Sequence, residues 1–277
     1  MLTFPPGRRT VIRTPRARPT RARARWMAVL APAVLLLAGC APANATGSST
    51  MDTSGLPGLA GSAAESTVPL AAFLGDSYTS GLGATSGNLR WSSLVARELG
   101  AYEGNSALGG TGYLAGTEVT PALQCEESVC PTLPDRVATL TPQPATVVFV
   151  AGGINDLALF PGKEAAFTRA VDATLDGICT TFPQAGAVVV LTPFGRVAEP
   201  TPEALQEDQI VAAASDQRGF ITISGVDEWF VGHPELLTAD GGHPNDAGHA
   251  AIAQKVMAVL QKDGTLQQAL DAGTCSG

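Results

Sequence analysis

Residues 70–81 have the sequence LAAFLGDSYTSG, an apolar run followed directly by a turn of small and polar residues. A short, continuous apolar run that ends in a turn is typical of a strand buried on both faces. The glycines at both ends of the turn permit a tight backbone, so the turn would present the hydroxyl of Ser77 at the edge of a sheet. By itself, however, a Gly-Asp-Ser triplet is more often an ordinary strand-ending turn or a helix cap than a catalytic site.

On both sides of this stretch, short apolar runs alternate with helical patterns. Further strands are predicted near 104–108 and at 145–151, 187–191 and 220–223, and helices at 89–99, 133–140, 163–182, 202–215 and 246–261. Alternating strands and helices predict an α/β fold with three α/β/α layers around a mostly parallel, five-stranded sheet. The last helix has the clearest boundaries, because Asn245 can cap its start and Gly264 can end it.

Polar residues stand where three further elements begin or end. Residues 105–112 (NSALGGTG) follow the second strand, residues 152–156 (GGIND) follow the third, and residues 240–243 (DGGH) precede the last helix. The carboxyl ends of parallel strands meet at one edge of the sheet, where reactive groups gather in open α/β folds. We therefore expect these segments to lie close to Ser77.

Together the four segments supply a Ser, a Gly, an Asn and a His in that order, and on them the chain resembles the SGNH hydrolases, also called GDSL esterases. The resemblance spans residues 70–260 and implies a flavodoxin-like fold and a serine hydrolase. It implies that Ser77 is the nucleophile, that His243 is the base that accepts its proton, and that Asp240 orients His243.

The same resemblance implies an oxyanion hole. Its donors would be the backbone N–H groups of Ser77 and Gly110 and the side-chain amide of Asn155, with the adjacent Gly109 as an alternative to Gly110. A non-catalytic interpretation also exists, in which Asn155 forms an Asx turn and the two glycines only allow a bend.

Two observations bear on the type of hydrolase. No Gly-x-Ser-x-Gly motif occurs in the chain, which argues against the nucleophile elbow of the α/β-hydrolases. Tyr78 stands where fatty-acyl members of the SGNH family carry Leu, and this difference weakens an inference of lipase specificity.

A metal site is the rival interpretation of the last segment, since Asp240, His243, Asp246 and His249 are spaced by three residues. We instead expect Asp246 to complement the dipole of the last helix and His249 to face solvent in its first turn. His233, between Gly232 and Pro234, is expected to be a loop residue. The prediction is an enzyme that needs no metal and no cofactor.

The start of the chain differs from the rest. Residues 1–25 contain eight Arg and no Asp or Glu, and an apolar run at 27–38 leads into Leu37-Ala38-Gly39-Cys40. A run of this length is too short to span a bilayer, which needs about twenty residues, and the segment resembles a bacterial lipobox. We predict a signal peptide at 1–39, a lipid on Cys40, a flexible tether at 40–67 and one hydrolase domain at 68–277.

The export route has alternatives. A plain secretory signal stays possible, and the doublet Arg8-Arg9 leaves Sec and Tat export open.

Without the leader, the chain has nine Lys and Arg and 25 Asp and Glu, a net charge of −16 that argues against nucleic acid as a partner. We expect a monomer on the outer face of the cell membrane, attached through the lipid.

Four cysteines follow Cys40, and outside the cytoplasm an even number indicates disulfides. We favour Cys125 with Cys130, which would clamp a loop, and Cys179 with Cys275, which would fasten the C-terminal tail. A zinc site at Cys125 and Cys130 has no matching second pair of ligands.

The functional prediction is a serine esterase that hydrolyses short-acyl or O-acetyl esters, including those on glycans, through an acyl-serine intermediate. Only 5% of the residues are aromatic, which argues mildly against a deep fatty-acyl site. The alternatives are a lipase, phospholipase or thioesterase acting on lipid substrates, and a surface glycan-binding module without catalytic activity.

Overall fold

A computed structural model describes residues 69–116, 130–239 and 241–275. Its sheet contains β1 (Leu70–Gly75), β2 (Tyr102–Asn105), β3 (Val147–Ala151), β4 (Ala187–Leu191) and β5 (Ile221–Ile223). The strands pair in the order β2-β1-β3-β4-β5, and every pairing is parallel. The predicted α/β fold with a five-stranded sheet is therefore confirmed.

The strand order creates a natural place for a site. From β1 the chain moves to β2 on one side of the sheet and then returns to β3 on the other side. In open parallel sheets, the crevice at such a reversal, outside the carboxyl ends of the strands, is where ligands bind. The segments that follow β1 and β3 contain Ser77 and Asn155, so both residues lie at this reversal.

In the described ranges, seven α-helices accompany the strands: α1 (Ser77–Ser80), α2 (Trp91–Glu98), α3 (Leu133–Thr139), α4 (Glu164–Thr181), α5 (Pro202–Gln217), α6 (Asp246–Gln261) and α7 (Thr265–Ala272). The five predicted helices all form, with ends within two residues of those expected. The short α1 and the C-terminal α7 were not predicted.

Alternate strand residues build two cores, one on each face of the sheet, because successive side chains in a strand point to opposite sides. Phe73, Phe149 and Val189 pack against α2 and α6 on one face. Val148 and Val190 pack with apolar residues of α3, α4 and α5 on the other face. Both faces of the sheet are thus covered, which explains why its strands are continuous apolar runs.

The last helix has its predicted bounds, Asp246–Gln261, although Gly264 lies three residues beyond its end. The Asn245 side chain accepts a hydrogen bond from the Gly248 N–H at 3.0 Å, as an N-cap does. The helix ends at Gln261, and a 3₁₀ turn over Lys262–Gly264 follows. Gly264 has a φ of 71°, and this left-handed conformation directs the chain into α7.

The C-terminal tail is fastened to the body at two levels. A disulfide joins Cys179, at the end of α4, to Cys275, the pair that the sequence favoured. The backbone N–H groups of Thr274 and Cys275 also donate to the carbonyl oxygens of Gly186 (3.0 Å) and Ala185 (2.9 Å), just before β4. The tail therefore lies at the amino end of the sheet, away from Ser77.

Several predictions fall on residues outside the described ranges, namely the leader, the tether, Cys40, Cys125 and Asp240. Cys130 is disulfide-bonded. Within the described ranges, every helix is too short or too polar to cross a membrane.

Candidate active site

Ser77 is the first residue of α1, directly beyond the carboxyl end of β1. The Asp76 side chain caps this helix by accepting the Tyr78 N–H at 2.9 Å. At the first position of a helix, the N–H of Ser77 has no acceptor within that helix, so it is available as a donor. The turn itself is tight because a Cβ on Gly75 would overlap the carbonyl oxygen of Ala151 in β3.

His243 faces Ser77 from the loop before α6. Its Nε2 lies 3.0 Å from the Ser77 Oγ, a hydrogen-bond distance. Thr238 holds the loop, since its N–H donates to the His243 carbonyl oxygen at 2.8 Å. The structure thus brings the predicted nucleophile and base together across 166 residues of sequence. Asp240 lies outside the described residues, so its role as orienting carboxylate stays a prediction.

The predicted oxyanion donors belong to neighbouring loops. Asn155 donates through Nδ2 to the Thr111 carbonyl oxygen at 2.9 Å, which attaches it to the loop of Gly110. The Leu108 N–H donates to the Gly75 carbonyl oxygen at 3.0 Å and holds the same loop beside β1. An amide nitrogen has two hydrogens, so Asn155 keeps a second donor for a ligand. Gly110 has a φ of 75°, a conformation that favours glycine.

Tyr78 connects the two sides of the site. Its ring stacks on Phe194 with the ring centroids 5.0 Å apart. Its hydroxyl donates to the carbonyl oxygens of Gly195 at 3.3 Å and of Gly242 at 3.2 Å. Burial raises the Tyr78 pKa to about 12, so the hydroxyl stays protonated. Tyr78 thus joins the segment of Ser77 to the loop after β4 and to the residue before His243.

A buried arginine underlies the site, and the sequence analysis did not identify it. Arg136 of α3 is 5% exposed. Its guanidinium donates to the carbonyl oxygens of Ser106 (2.7 Å) and Gly75 (2.8 Å) and to the Thr111 hydroxyl (3.0 Å). Burial lowers its pKa to about 10, with nearby Asp76 acting in the opposite direction, so it remains a cation. Arg136 therefore links the end of β1 to Ser106 and Thr111, which lie on either side of Gly110 in the loop after β2.

Asp156, next to Asn155, is the second buried group that holds the loop. Its carboxylate accepts the backbone N–H groups of Tyr113, Leu114 and Ala115, each at 2.7 Å. Burial raises the Asp156 pKa, and the three donors act against that shift. A Cβ on Gly112 would overlap the carboxylate, so glycine is needed at that position.

Asp76 differs from Asp156 because only one of its oxygens is satisfied. It is fully buried, and its Oδ2 has no hydrogen-bond partner among the described residues. Burial raises the pKa of Asp76 to about 7. The carboxyl is therefore partly protonated at neutral pH.

The expectation that His249 faces solvent is wrong, because His249 is fully buried. Its Nδ1 accepts the Trp91 N–H and its Nε2–H donates to the Leu82 carbonyl oxygen, both at 3.3 Å. Burial lowers its pKa to about 4, so the ring is neutral. Both nitrogens are used to join α6 to α2 and to the loop after α1.

Asp246, another residue of the rival metal interpretation, is also used elsewhere. Asp246 accepts the N–H and the hydroxyl of Thr85, at 2.8 and 2.7 Å. The exposed His233 lies 2.9 Å from Glu235, beyond the last strand, as expected of a loop residue. Within the described ranges, His, Cys, Asp and Glu nowhere form a group of three that could hold a metal ion.

The sequence is similar to a known protein family and to one of its members. The model of the GDSL-like Lipase/Acylhydrolase family matches residues 73–251. The GDSL lipase Rv0518 of Mycobacterium tuberculosis (strain ATCC 25618 / H37Rv) is 31% identical over 199 residues, which cover 69% of this chain and 81% of that protein.

Solved structures resemble the fold at lower identity. A carbohydrate esterase family 2 enzyme with a carbohydrate-binding domain from Corynascus thermopiles (Myceliophthora fergusii) matches with a TM-score of 0.55 and 18% identity, over 71% of this chain and 67% of that chain. A member of the lipolytic protein G-D-S-L family from Veillonella parvula DSM 2008 matches with a TM-score of 0.52 and 14% identity, over 70% of this chain and 100% of that chain.

Proposed function

The chain belongs to the GDSL-like Lipase/Acylhydrolase family and is an SGNH-type carboxylic ester hydrolase, and we propose that Ser77 is its nucleophile and His243 its general base. The observation that carries this assignment is the 3.0 Å contact between the His243 Nε2 and the Ser77 Oγ. A serine hydroxyl is a weak nucleophile until a neighbouring base takes its proton. A distance of 3.0 Å is within the range that a general base needs to take this proton, which supports the assignment.

The reaction follows from this geometry. The Ser77 Oγ attacks the ester carbonyl carbon as its proton passes to the His243 Nε2. The negative charge on the carbonyl oxygen is stabilised by the N–H groups of Ser77 and Gly110 and by the Asn155 amide. The protonated His243 then gives its proton to the leaving alcohol, and water, activated by the same imidazole, releases the acid from the acyl-serine. Asp240 would hold the imidazole in the required tautomer.

The proposed substrates are esters of short acyl groups, with O-acetyl groups on glycans as the leading class. The carbohydrate esterase fold in the Corynascus enzyme supports this choice. The second candidate is a lipid ester, a choice supported by the lipase from M. tuberculosis. Tyr78 favours the first class, because it stands where fatty-acyl members of the family carry Leu.

Labelling with a fluorophosphonate probe tests the enzyme, and a chain-length series of p-nitrophenyl esters tests the substrate. We expect one label on Ser77, none in Ser77→Ala, and a fall in kcat/KM from acetate to octanoate. Ser86→Ala is the matched control, since the Ser86 side chain caps no helix. Folded protein without a label on Ser77 would instead fit a glycan-binding module, and equal rates for long and short chains would fit a lipase.

We further propose that the protein is exported and held at the outer face of the cell membrane by a lipid on Cys40, as a monomer. The support comes from the sequence, where an apolar run ends in Leu37-Ala38-Gly39-Cys40. Mass spectrometry of the mature N-terminus should find an acylated Cys40, and Cys40→Ala should release the protein from the membrane fraction. An unmodified mature terminus at another residue would overturn this proposal.

A further inference from the structure

A cavity of about 160 Å³ lies next to the segment that contains Asn155, one of the proposed oxyanion donors. Ile154 and Leu157, on either side of Asn155 in the sequence, form one wall. Phe194 and Gly195, in the loop after β4, form another. Thr201 and Ala204, at the start of α5, also line the cavity.

The cavity shares its walls with the segments that hold Ser77 and His243. The Gly195 carbonyl oxygen and the Phe194 ring both contact Tyr78, the residue after Ser77. Arg196, also in the lining, donates to the carbonyl oxygen of Gly242 at 3.4 Å. The cavity is therefore next to the segments that carry the reacting atoms.

The lining is mostly apolar, but it contains two buried carboxyl groups. Glu207 of α5 is 1% exposed and Asp227, after β5, is 3% exposed. Among the described residues, neither the Glu207 Oε1 nor the Asp227 Oδ2 has a hydrogen-bond partner. A buried polar atom without a partner costs about 1–3 kcal/mol. Two buried oxygens without a partner, in carboxyl groups that line a mostly apolar cavity, indicate a ligand that brings hydrogen-bonding groups of its own.

The chemistry of the two acids favours a neutral hydroxyl group over an alkyl group or a cation. Burial, together with the charge of Asp156, raises the Glu207 pKa to about 8, so at neutral pH this carboxyl can both donate and accept. A hydroxyl does the same, whereas an alkyl chain would leave both acids unsatisfied. A protonated Glu207 offers no negative charge to a cation, and the lining already contains the basic Arg196 as well as the acidic Glu199.

We propose that Glu207 and Asp227 bind a hydroxyl group of the ester substrate in this cavity, so that the enzyme prefers hydroxylated esters to alkyl esters of the same length. The inference rests on the proposed ester hydrolysis at Ser77 and specifies the substrate class of that site. The hydroxyl can belong to the acyl part or to the alcohol part of the ester.

Two pairs of esters distinguish these sources. The acyl arm compares p-nitrophenyl 3-hydroxybutyrate with p-nitrophenyl butyrate, and the alcohol arm compares glycerol 1-acetate with propyl acetate in a pH-stat. We expect kcat/KM to be at least about tenfold higher for the hydroxylated ester in one arm, because a site built around a hydroxyl discriminates strongly against the analogue that lacks it. The arm with the preference identifies the part of the ester that enters the cavity.

Variants connect the preference to the cavity. Glu207→Leu should abolish the preference, Asp227→Asn should reduce it, and Glu207→Gln, which keeps a donor and an acceptor, should retain part of it. Glu203→Leu, one turn earlier on α5 and exposed, is the matched control and should keep the wild-type ratio. If Glu207→Leu does not fold, a reduced preference in Glu207→Gln and Asp227→Asn supports the proposal, and an unchanged preference in both overturns it.

The outcomes separate the two proposals. Failure of wild-type protein to hydrolyse any ester, or hydrolysis that survives Ser77→Ala, would overturn the proposed function. Hydrolysis that depends on Ser77 but shows equal kcat/KM within both pairs would overturn only the role of the cavity. A preference that Glu207→Leu leaves unchanged would do the same.

Discussion

Asp156 and Glu207 are both carboxyl side chains buried beside the carboxyl edge of the sheet, yet their surroundings differ. Asp156 accepts three backbone N–H groups at 2.7 Å. Glu207 faces a cavity, and its Oε1 has no partner among the described residues. A buried acid whose oxygens are satisfied by the backbone fixes a loop, whereas one with an unsatisfied oxygen at a cavity is available to a ligand. Burial alone does not distinguish these two uses.

The largest expected effect comes from removing the satisfied acid. Asp156→Ala should lower the free energy of unfolding by about 3–5 kcal/mol, since each buried donor left without an acceptor costs about 1–3 kcal/mol. Urea denaturation would measure this loss. Asp271→Ala on the exposed face of α7 is the control, with an expected change below about 0.5 kcal/mol. Equal losses in the two variants would contradict the role of Asp156 in fixing the loop.

The next effect falls on the neighbour of Asp156 in the sequence. Asn155→Ala should lower kcat by about 10²–10³-fold, the usual cost of one oxyanion donor. Steady-state kinetics with p-nitrophenyl acetate would measure the change. Asn155→Asp should be at least as damaging, because a carboxylate repels the developing oxyanion. A normal kcat in either variant would exclude Asn155 from the oxyanion hole.

The raised pKa of Glu207 should make the stability of the protein depend on pH. The Glu207 pKa is about 8 in the folded protein against an ordinary value of 4.5. Between pH 4.5 and 8, Glu207 is therefore protonated in the folded protein and ionised in the unfolded chain. Stability from this group is present below pH 4.5 and falls as the pH rises to about 8. Between pH 4.5 and 8, the free energy of unfolding of wild-type protein should fall by about 2 kcal/mol relative to Glu207→Gln. This is less than the roughly 1.4 kcal/mol for each unit of pKa shift that a fully buried group would give, because Glu207 lines an open cavity.

Urea denaturation of both proteins at pH 4.5, 6 and 8.5 measures that difference. Glu203→Gln, on the exposed face of α5, should follow the wild-type curve. Parallel curves for wild-type protein and Glu207→Gln would mean that the folded state does not retain the proton on Glu207.

The smallest expected effect concerns Tyr78, the residue after Ser77. Tyr78→Phe removes the hydroxyl that contacts Gly195 and Gly242 and should destabilise the fold by about 0.5–1.5 kcal/mol. Thermal unfolding would measure this change, with Tyr102→Phe, whose side chain is 67% exposed, as a neutral control. An unchanged Tm for Tyr78→Phe would show that the two carbonyl contacts do not stabilise the fold.

The fold was predictable because long elements produce strong patterns. The buried strands are continuous apolar runs, and the long helices repeat apolar residues on one face. Helix α1 has only four residues, which is too short for a periodic pattern. Helix α7 has eight, and its Leu266 and Leu270 are only partly buried against the core.

The site was predictable where its residues stand in characteristic local segments, and unpredictable where distant segments decide. Ser77 and His243 lie in such segments, and the sheet brings them into contact. The burial of Arg136 depends on acceptors from Gly75, Ser106 and Thr111, and the burial of His249 depends on a donor and an acceptor about 160 residues earlier in the chain. The sequence near each of the two side chains does not reveal these partners.

The disulfide between Cys179 and Cys275 divides the chain topologically. It closes a covalent ring that includes His243, whereas Ser77 lies on the segment that enters the ring. A single proteolytic cut between Cys179 and His243 would open the ring without separating the fragments, so the nucleophile and its base would remain on one molecule until the bond is reduced. Loss of activity in nicked protein should therefore require reductant, and the cut protein should migrate as two fragments only after reduction.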